Sequence, residues 1–371
     1  MKIGIITSPF GPLPPNALGA IERRWYYIGN AIARKGHSVD FYSKADKGYL
    51  SETDVKINQI LGYKRTKHIW GDIIKDFVFT LKALVRLKKC DILVQNTFWS
   101  PILSPLFFWK YRKTVYNVAR MPKGQFRLYG AVHQFSCVSQ AVKNEMEAYV
   151  GKDKRVVVVS NPVNVHYYGY KERANQDDII TIGYHGRIHR EKGLDLLCKA
   201  AQLLSEKYKI RLMIIGPHET QRGGSGDEYV AQLKSLCPNV EITFTGAISN
   251  PSRLNEQLGL CDIYCYPSMA DKGETFGVSP LEAMCTGCPV VVSSLACFRD
   301  FITDGETGLV FDHHAENAVE QLAEKLESYI ESAELREKVG RAAYQKAQEF
   351  SVEKIAEKYI ENFEKLQADG E

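Results

Sequence analysis

The sequence predicts an α/β protein of two doubly wound units, each a parallel sheet flanked by helices. Three observations predict it. Short apolar runs of about 4–6 residues, the pattern of strands buried on both faces, alternate with helix-period segments along the whole chain. The length, 371 residues, suits two domains of roughly 100–200 residues each. The charge also changes sign near the middle. Residues 1–170 hold 26 Lys and Arg against 11 Asp and Glu, whereas residues 171–371 hold 22 against 33.

The first run, Lys2–Thr7, reads as a buried strand rather than a leader peptide, because its apolar stretch is short and no small-residue cleavage site follows. Further strands are expected at Val39–Ser43, Asp91–Gln95, Thr114–Val118 and Phe135–Val138, with helices over 20–35, 72–89 and 139–150. Ser160 to Gly169, running into polar 171–178, reads as the linker and coincides with the change of charge sign. Strands then recur at Ile179–Tyr184, Arg211–Ile215, Val240–Thr243, Ile263–Tyr266, Pro289–Val292 and Leu309–Phe311. The tail is helical, with Val319, Leu322, Leu326 and Ile330 three or four apart, and likewise Val352, Ile355, Tyr359, Phe363 and Leu366. There is no internal repeat. No apolar run reaches the roughly 20 residues of a membrane-spanning helix. With 44% hydrophobic and 25% charged residues, the composition excludes a disordered, collagen-like or coiled-coil chain.

The basic first half has a concentrated zone. Lys64, Arg65 and Lys67 precede a stretch in which Trp70, Ile73, Ile74, Phe77, Leu81, Leu84, Val85 and Leu87 recur at near-helical intervals among Lys82, Arg86, Lys88 and Lys89. Core burial alone accounts for that apolar face, and burial is the expectation here. The excess charge still calls for an anionic partner. No nucleic-acid motif accompanies it, so a lipid surface or a phosphate-bearing acceptor is the expected partner.

Nine cysteines are scattered through the expected strands and helices, which fits a reducing compartment. Cys261, Cys265, Cys285 and Cys288 superficially resemble a zinc set. Cys265 lies inside an apolar strand run and Cys288 borders another, so packing as small hydrophobes is the expected role.

Ligands in open α/β sheets bind beyond the carboxyl ends of strands, so the strand-to-helix turns are the places to search. The first, Ser8 to Glu22, is long and brings the small residues Gly19 and Ala20 to a helix start. No GxGxxG or GxxxxGK[ST] loop occurs. The second turn, Gly186 to Gly193, offers the Arg187 fork and the Lys192 point charge, which together suit a departing diphosphate. His189 reads as an ordinary loop histidine. The third turn spaces Glu274 and Glu282 eight residues apart around Gly277, with Pro280 in the first turn of a helix. Carboxylates there are good acceptors for sugar hydroxyls.

Together these segments resemble the retaining glycosyltransferases of family 4, which have the GT-B fold. Glu274 and Glu282 match the family's EX7E signature, and Gly186-Arg187 through Lys192-Gly193 match its G-R-x(4)-K-G pattern. Ala283-Met284, Gly287, Pro289 and Val291 follow as its usual sequel, and Asp304 to Val310 match another family stretch. The family's G-G-x-E turn stands here as Gly19-Ala20-Ile21-Glu22, without its second glycine.

The resemblance implies two Rossmann-like domains facing each other across a cleft: an acceptor-side domain of residues 1–165 plus 354–371, and a donor-binding domain of residues 166–353. It implies that Arg187 and Lys192 hold the donor diphosphate. Glu274 would face the sugar and Glu282 the ribose. Gly186, Gly216, Phe276, Gly277 and Val278 would line the donor site, with Gly19 closing from the other domain. Many members carry a histidine near the reacting sugar. Here that segment offers Asn117, Arg120 and Lys123, and the next histidine, His133, reads as structural.

The activity so implied is retaining transfer of a hexosyl group from a nucleotide diphosphate sugar, with UDP the commonest base in the family. The acceptor would be a glycan or lipid-linked molecule of cell-surface polysaccharide or glycolipid synthesis. No cofactor and no metal is expected, because two fixed cations face the diphosphate and no Asp-x-Asp occurs. No nucleic-acid partner is expected. A cytoplasmic protein, peripheral at the inner membrane face through its basic half, is expected. Two rivals stay open: an inactive nucleotide-sugar-binding regulatory partner, and a hydrolase or epimerase of the donor.

Overall fold

The computed structural model describes residues 1–13, 20–44, 53–66, 68–151, 153–172 and 179–369. The chain divides into two compact units, residues 1–162 with 352–371, and residues 163–351.

The first unit contains strands β1 (Lys2–Ile6), β2 (Ser38–Lys44), β3 (Lys56–Ile60), β4 (Cys90–Gln95), β5 (Tyr111–Val118), β6 (Gln134–Cys137) and β7 (Arg155–Val158). They form one parallel sheet in the order β3-β2-β1-β4-β5-β6-β7. Its helices are α1 (Ala20–Arg34), α2 (Ile69–Arg86), the short α3 (Ser100–Leu103) and α4 (Gln140–Val150). Ser139 caps α4 by accepting a hydrogen bond from the Val142 amide, a standard N-terminal stop for an orphan donor.

The second unit contains β8 (Ile180–His185), α5 (Leu194–Leu204), β9 (Ile210–Ile215), α6 (Asp227–Leu236), β10 (Glu241–Gly246), α7 (Pro251–Leu258), β11 (Ile263–Tyr266), α8 (Val278–Met284), β12 (Val290–Ser293), β13 (Leu309–Phe311), α9 (Ala318–Glu331) and α10 (Ala333–Gln348). Its parallel sheet runs β10-β9-β8-β11-β12-β13. The final helix α11 (Val352–Ala368) belongs to the first unit. There it buries Val352, Ile355, Tyr359, Phe363 and Leu366, the stripe expected from their spacing, plus Ala356.

Two strands were not expected from the sequence, β3 and β7, and both are sheet edges. An edge strand is covered less, so β3 keeps polar and half-exposed positions and lacks the continuous apolar run of an inner strand. The four valines from Val156 do form such a run, but it is short and leads straight into Ser160-Asn161-Pro162.

One expectation is corrected. Most of the apolar stripe over 70–87 is not core, although its Leu84 and Leu87 are buried. The helix buries Asp76, Phe79, Thr80, Ala83 and Leu84. Trp70 (74% exposed), Ile74 (65%), Phe77, Leu81 and Val85 stand in solvent. Periodicity identifies a face but not what covers it. After α3 a 3-10 segment, Ser104–Lys110, adds exposed Leu106, Phe108 (70%) and Trp109. Lys110 Nζ donates to the carbonyls of Leu84 and Val85 at 3.0 and 2.7 Å, which ties this segment to the end of α2. Lys82, Arg86, Lys88, Lys89 and Arg112 are exposed around it. Among the described residues no helix is long and apolar enough to cross a membrane.

Candidate functional site

In each sheet the strand order reverses direction once, between β1 and β4 in the first unit and between β8 and β11 in the second. Crevices at such switch points, beyond the carboxyl ends of the strands, are where open α/β sheets bind ligands. The residues beyond β8 and β11 are the second and third turns singled out in the sequence.

β8 ends at His185 and leads through Gly186 and Arg187 to a 3-10 turn, Arg190–Lys192. The packing at Gly216 explains why no side chain stands there. Its φ is +149°, and a Cβ would lie 1.8 Å from the Gly186 carbonyl oxygen. The loop after β11 is stitched to the same turn, because the Met269 amide donates to the Glu191 carbonyl at 2.9 Å. Gly277 starts α8 with φ +87°, and a Cβ there would strike the Phe298 ring at 2.4 Å. Phe276 is buried against Phe301 and Phe350, so its ring is core and only its backbone remains for a ligand.

Lys192 Nζ lies 2.6 Å from Glu274 Oε2, with the lysine side chain 7% exposed and the glutamate 13%. The Tyr266 hydroxyl donates to the same oxygen at 3.0 Å, and the ammonium sits 5.6 Å from the Tyr266 ring centroid. Burial, and then the Glu274 charge, push the Tyr266 hydroxyl well above the ordinary tyrosine range, so it stays a donor. Arg187 reaches this pair through Glu191. Its guanidinium donates to Glu191 Oε1 at 2.9 Å, and that oxygen is 3.9 Å from Lys192 Nζ. A second donation, to the Gly223 carbonyl at 3.0 Å, holds the fork in place.

Glu282 faces a different partner. Its Oε2 is 2.8 Å from His185 Nε2. A carboxylate only accepts, so Nε2 carries the proton, and buried Nδ1 has no hydrogen-bond partner. His185 and Tyr266 were not singled out in the sequence. The available signal was their place as the last residues of β8 and β11, each immediately before a turn that was. His189, the neighbour noted instead, accepts the Glu191 amide through Nδ1. Gly19 lies outside the described residues.

All nine cysteines are buried as free thiols. Cys265 is inside β11, and burial raises its thiol above the ordinary range. Among the described residues the cysteines form no metal-ligand group.

The first unit has its own cavity of about 310 Å³, lined by Ser8, Arg65, Asp72, Asp76, Asn117 and Arg120 among others. It opens beside the carboxyl ends of β1, β4 and β5. Asn117 is already engaged: its Oδ1 accepts from Arg24 at 2.6 Å and its Nδ2 donates to Asn96 at 2.9 Å. Arg120 is exposed at the rim. His133 Nδ1 accepts the Thr114 amide at 3.1 Å, a structural contact.

Asp76, which the sequence analysis did not single out, accepts the Trp99 amide at 3.0 Å, and burial pushes its carboxyl up to about 6. The unfolded chain releases this proton near the usual carboxylate value, while the folded chain holds it to about 6. The stability associated with the protonated form is therefore present below the ordinary value and lost as pH rises through 6. Denaturation of Asp76→Asn should show no such step. At pH 8 the variant should exceed the natural protein by about 3 kcal/mol, a gap that closes near pH 4. A gap that widens towards acid would overturn the assignment.

Residues 21–167 match the Glycosyltransferase Family 4 model, and residues 170–346 match that of Glycosyl transferases group 1. The capsular polysaccharide biosynthesis glycosyltransferase CapM of Staphylococcus aureus is 27% identical over 165 residues, 44% of this chain and 40% of that protein. Matches to five bacterial relatives, CapM among them, cover 40–52% of those proteins' own length, so this chain spans about half of them. The sucrose-phosphate synthase structure from Thermosynechococcus elongatus superposes with a TM-score of 0.79 at 18% identity, covering 100% of both chains. Anabaena HepE, solved with UDP and glucose, superposes at 0.70 and 18%, covering 98% of this chain and 100% of its own. At that identity the likeness establishes the fold.

Fold and matches together define the class of architecture, the GT-B fold of two parallel-sheet units. Within it, the chain is similar to the Glycosyl transferases group 1 family through its second unit and to Glycosyltransferase Family 4 through its first.

Proposed function

We propose that the protein moves a hexosyl group from a nucleoside diphosphate sugar, UDP-sugar in the first instance, to a lipid-linked or glycan acceptor, with retention at the anomeric carbon and no metal in the transfer step. The observation that carries this reading is the enclosed Lys192–Glu274 pair, linked through Glu191 to Arg187, beyond β8 and β11.

The reaction breaks the bond between anomeric carbon and diphosphate oxygen. The acceptor oxygen bonds to that carbon on the same face, and its proton passes to the departing phosphate. Charge grows on the diphosphate as it leaves, and fixed cations aimed there supply the largest stabilising effect. Lys192 is well suited, since its near-complete enclosure limits solvent screening. Arg187, 47% exposed and braced by Glu191 and Gly223, adds a planar fork. In this reading Glu282 takes the ribose hydroxyls, with His185 fixing its orientation, and Glu274 positions the sugar. CapM is a glycosyltransferase of capsular polysaccharide biosynthesis, and HepE was solved with UDP and glucose. Both relatives support the donor and product classes.

The exposed α2 stripe supports a lipid-borne acceptor. Its aromatic and aliphatic side chains, ringed by lysines and arginines, complement an anionic bilayer surface. A thermal-shift screen of nucleotide sugars should single out one donor by a raised Tm. With an acceptor present, NMR of the product should show the donor's anomeric configuration. Inversion would remove the retaining assignment, and rapid donor loss without acceptor would favour hydrolysis.

A further inference from the structure

Beyond the donor residues, one cluster joins the loop after β11 to the end of β13. Asp271 lies in the loop that carries Glu274. His313 and His314 follow β13 after one residue, Asp312. One ligand-type atom from each of the three lies within 4.8 Å of the others.

Two tautomers of His313 satisfy the hydrogen bonds around it, and one of them is the metal-binding form. The Ser294 hydroxyl donates to Asp312 Oδ1 at 3.4 Å and lies 3.0 Å from His313 Nδ1. With its proton directed at Asp312, the hydroxyl oxygen accepts from Nδ1–H. The lone pair of that tautomer is then on Nε2, which faces Asp271 Oδ1 at 3.4 Å. In the other tautomer Nε2–H donates to that oxygen, and a metal ion takes the place of this proton. His314 Nε2 approaches the same oxygen at 3.1 Å, and the two imidazole centroids are 4.0 Å apart.

We propose that Asp271, His313 and His314 form a binding site for a divalent first-row transition metal of the zinc type. Two imidazole nitrogens and a carboxylate oxygen are the ligand set of open zinc sites. With bonds of about 2.0–2.1 Å, ligand atoms in a tetrahedral zinc site stand roughly 3.3 Å apart, close to the two separations seen here. The Asp312–Ser294–His313 chain is the outer shell that holds a ligating histidine in its metal-binding tautomer. His313 is 2% exposed, whereas Asp271 and His314 are more than half exposed, so the remaining coordination positions face solvent and the ion has a path in.

The site differs from the cysteine set weighed in the sequence and takes no part in the transfer step. Its consequence is mechanical. The Glu274 amide donates to the Ala270 carbonyl at 2.8 Å, so an ion on Asp271 anchors the loop that presents Glu274 to the end of β13. The site does not depend on the transfer reading.

The test uses the full chain stripped of metal. Zinc is titrated in competition with a chromogenic chelator, and cobalt is titrated by its visible d–d absorption. One ion per chain is expected. Asp271→Asn and His314→Ala should each weaken binding at least about tenfold, and Ser294→Ala by about tenfold through the outer shell alone. Exposure of Asp271 and His314 lets those variants keep the natural Tm, so lost binding is not lost folding. Absence of binding, binding indifferent to Asp271→Asn and His314→Ala, or a cobalt spectrum with a thiolate charge-transfer band would each overturn the site.

Discussion

Lys192→Ala is expected to lower kcat by at least about a hundredfold, close to 3 kcal/mol of lost transition-state stabilisation. The lysine is the least exposed cation facing the proposed diphosphate position, so no solvent ion replaces it readily. The same change leaves Glu274, 13% exposed, without its counter-charge. Breaking a nearly buried ion pair from one side costs about 3 kcal/mol of stability. The two effects separate in a second variant. Lys192→Met with Glu274→Gln removes both charges, so it should recover most of the stability and none of the turnover. Denaturation curves and initial rates measured on the same preparations decide the matter. Natural kcat in Lys192→Ala would remove the phosphate-clamp role, and a double variant as unstable as the single one would remove the ion-pair account.

The second large effect concerns α2. Ile74→Glu combined with Val85→Glu should reduce binding to vesicles containing anionic lipid by about a hundredfold. Each apolar side chain that enters a bilayer surface contributes about 1.5–3 kcal/mol, and the added charges repel the lipid. Both side chains are more than half exposed, so Tm should stay unchanged. High salt should weaken the natural protein's binding only in part, because salt screens the lysines and arginines but not the apolar stripe. Co-sedimentation that ignores the double change, or that is equal on neutral vesicles, would count against a lipid surface as the partner.

How much of this was legible in the sequence follows from what covers each residue. Inner strands such as β8, buried at every position, announce themselves as apolar runs. The edge strand β3 does not, because half its surroundings are not protein core. The turn residues Arg187, Lys192, Glu274 and Glu282 were legible because strand ends and fixed spacings point to them. Their partners were not. The His185–Glu282 contact joins residues 97 apart in the chain, and the Lys192–Glu274 contact joins residues 82 apart. Only the sheet order that places β8 beside β11 brings them together. Asp76 escaped notice for a related reason, since a carboxylate on a helix looks solvated until the Trp99 amide is seen to hold it inside. The α2 stripe was misread because a helical period is the same whether protein, water or lipid lies against it.

The placement of α11 has a consequence for how the protein is made. The first unit is discontinuous: Tyr359 of α11 packs its ring against Trp25 at 4.9 Å between centroids, and its hydroxyl accepts a hydrogen bond from the Arg24 guanidinium at 2.7 Å. Residues 163–351 leave the ribosome as one uninterrupted stretch, complete in themselves. The earlier-made half must wait, one helix short, until α11 has been synthesised. A nascent chain stalled before Val352 would therefore carry a finished carboxyl-side unit behind an unfinished amino-side one, the reverse of their order of synthesis.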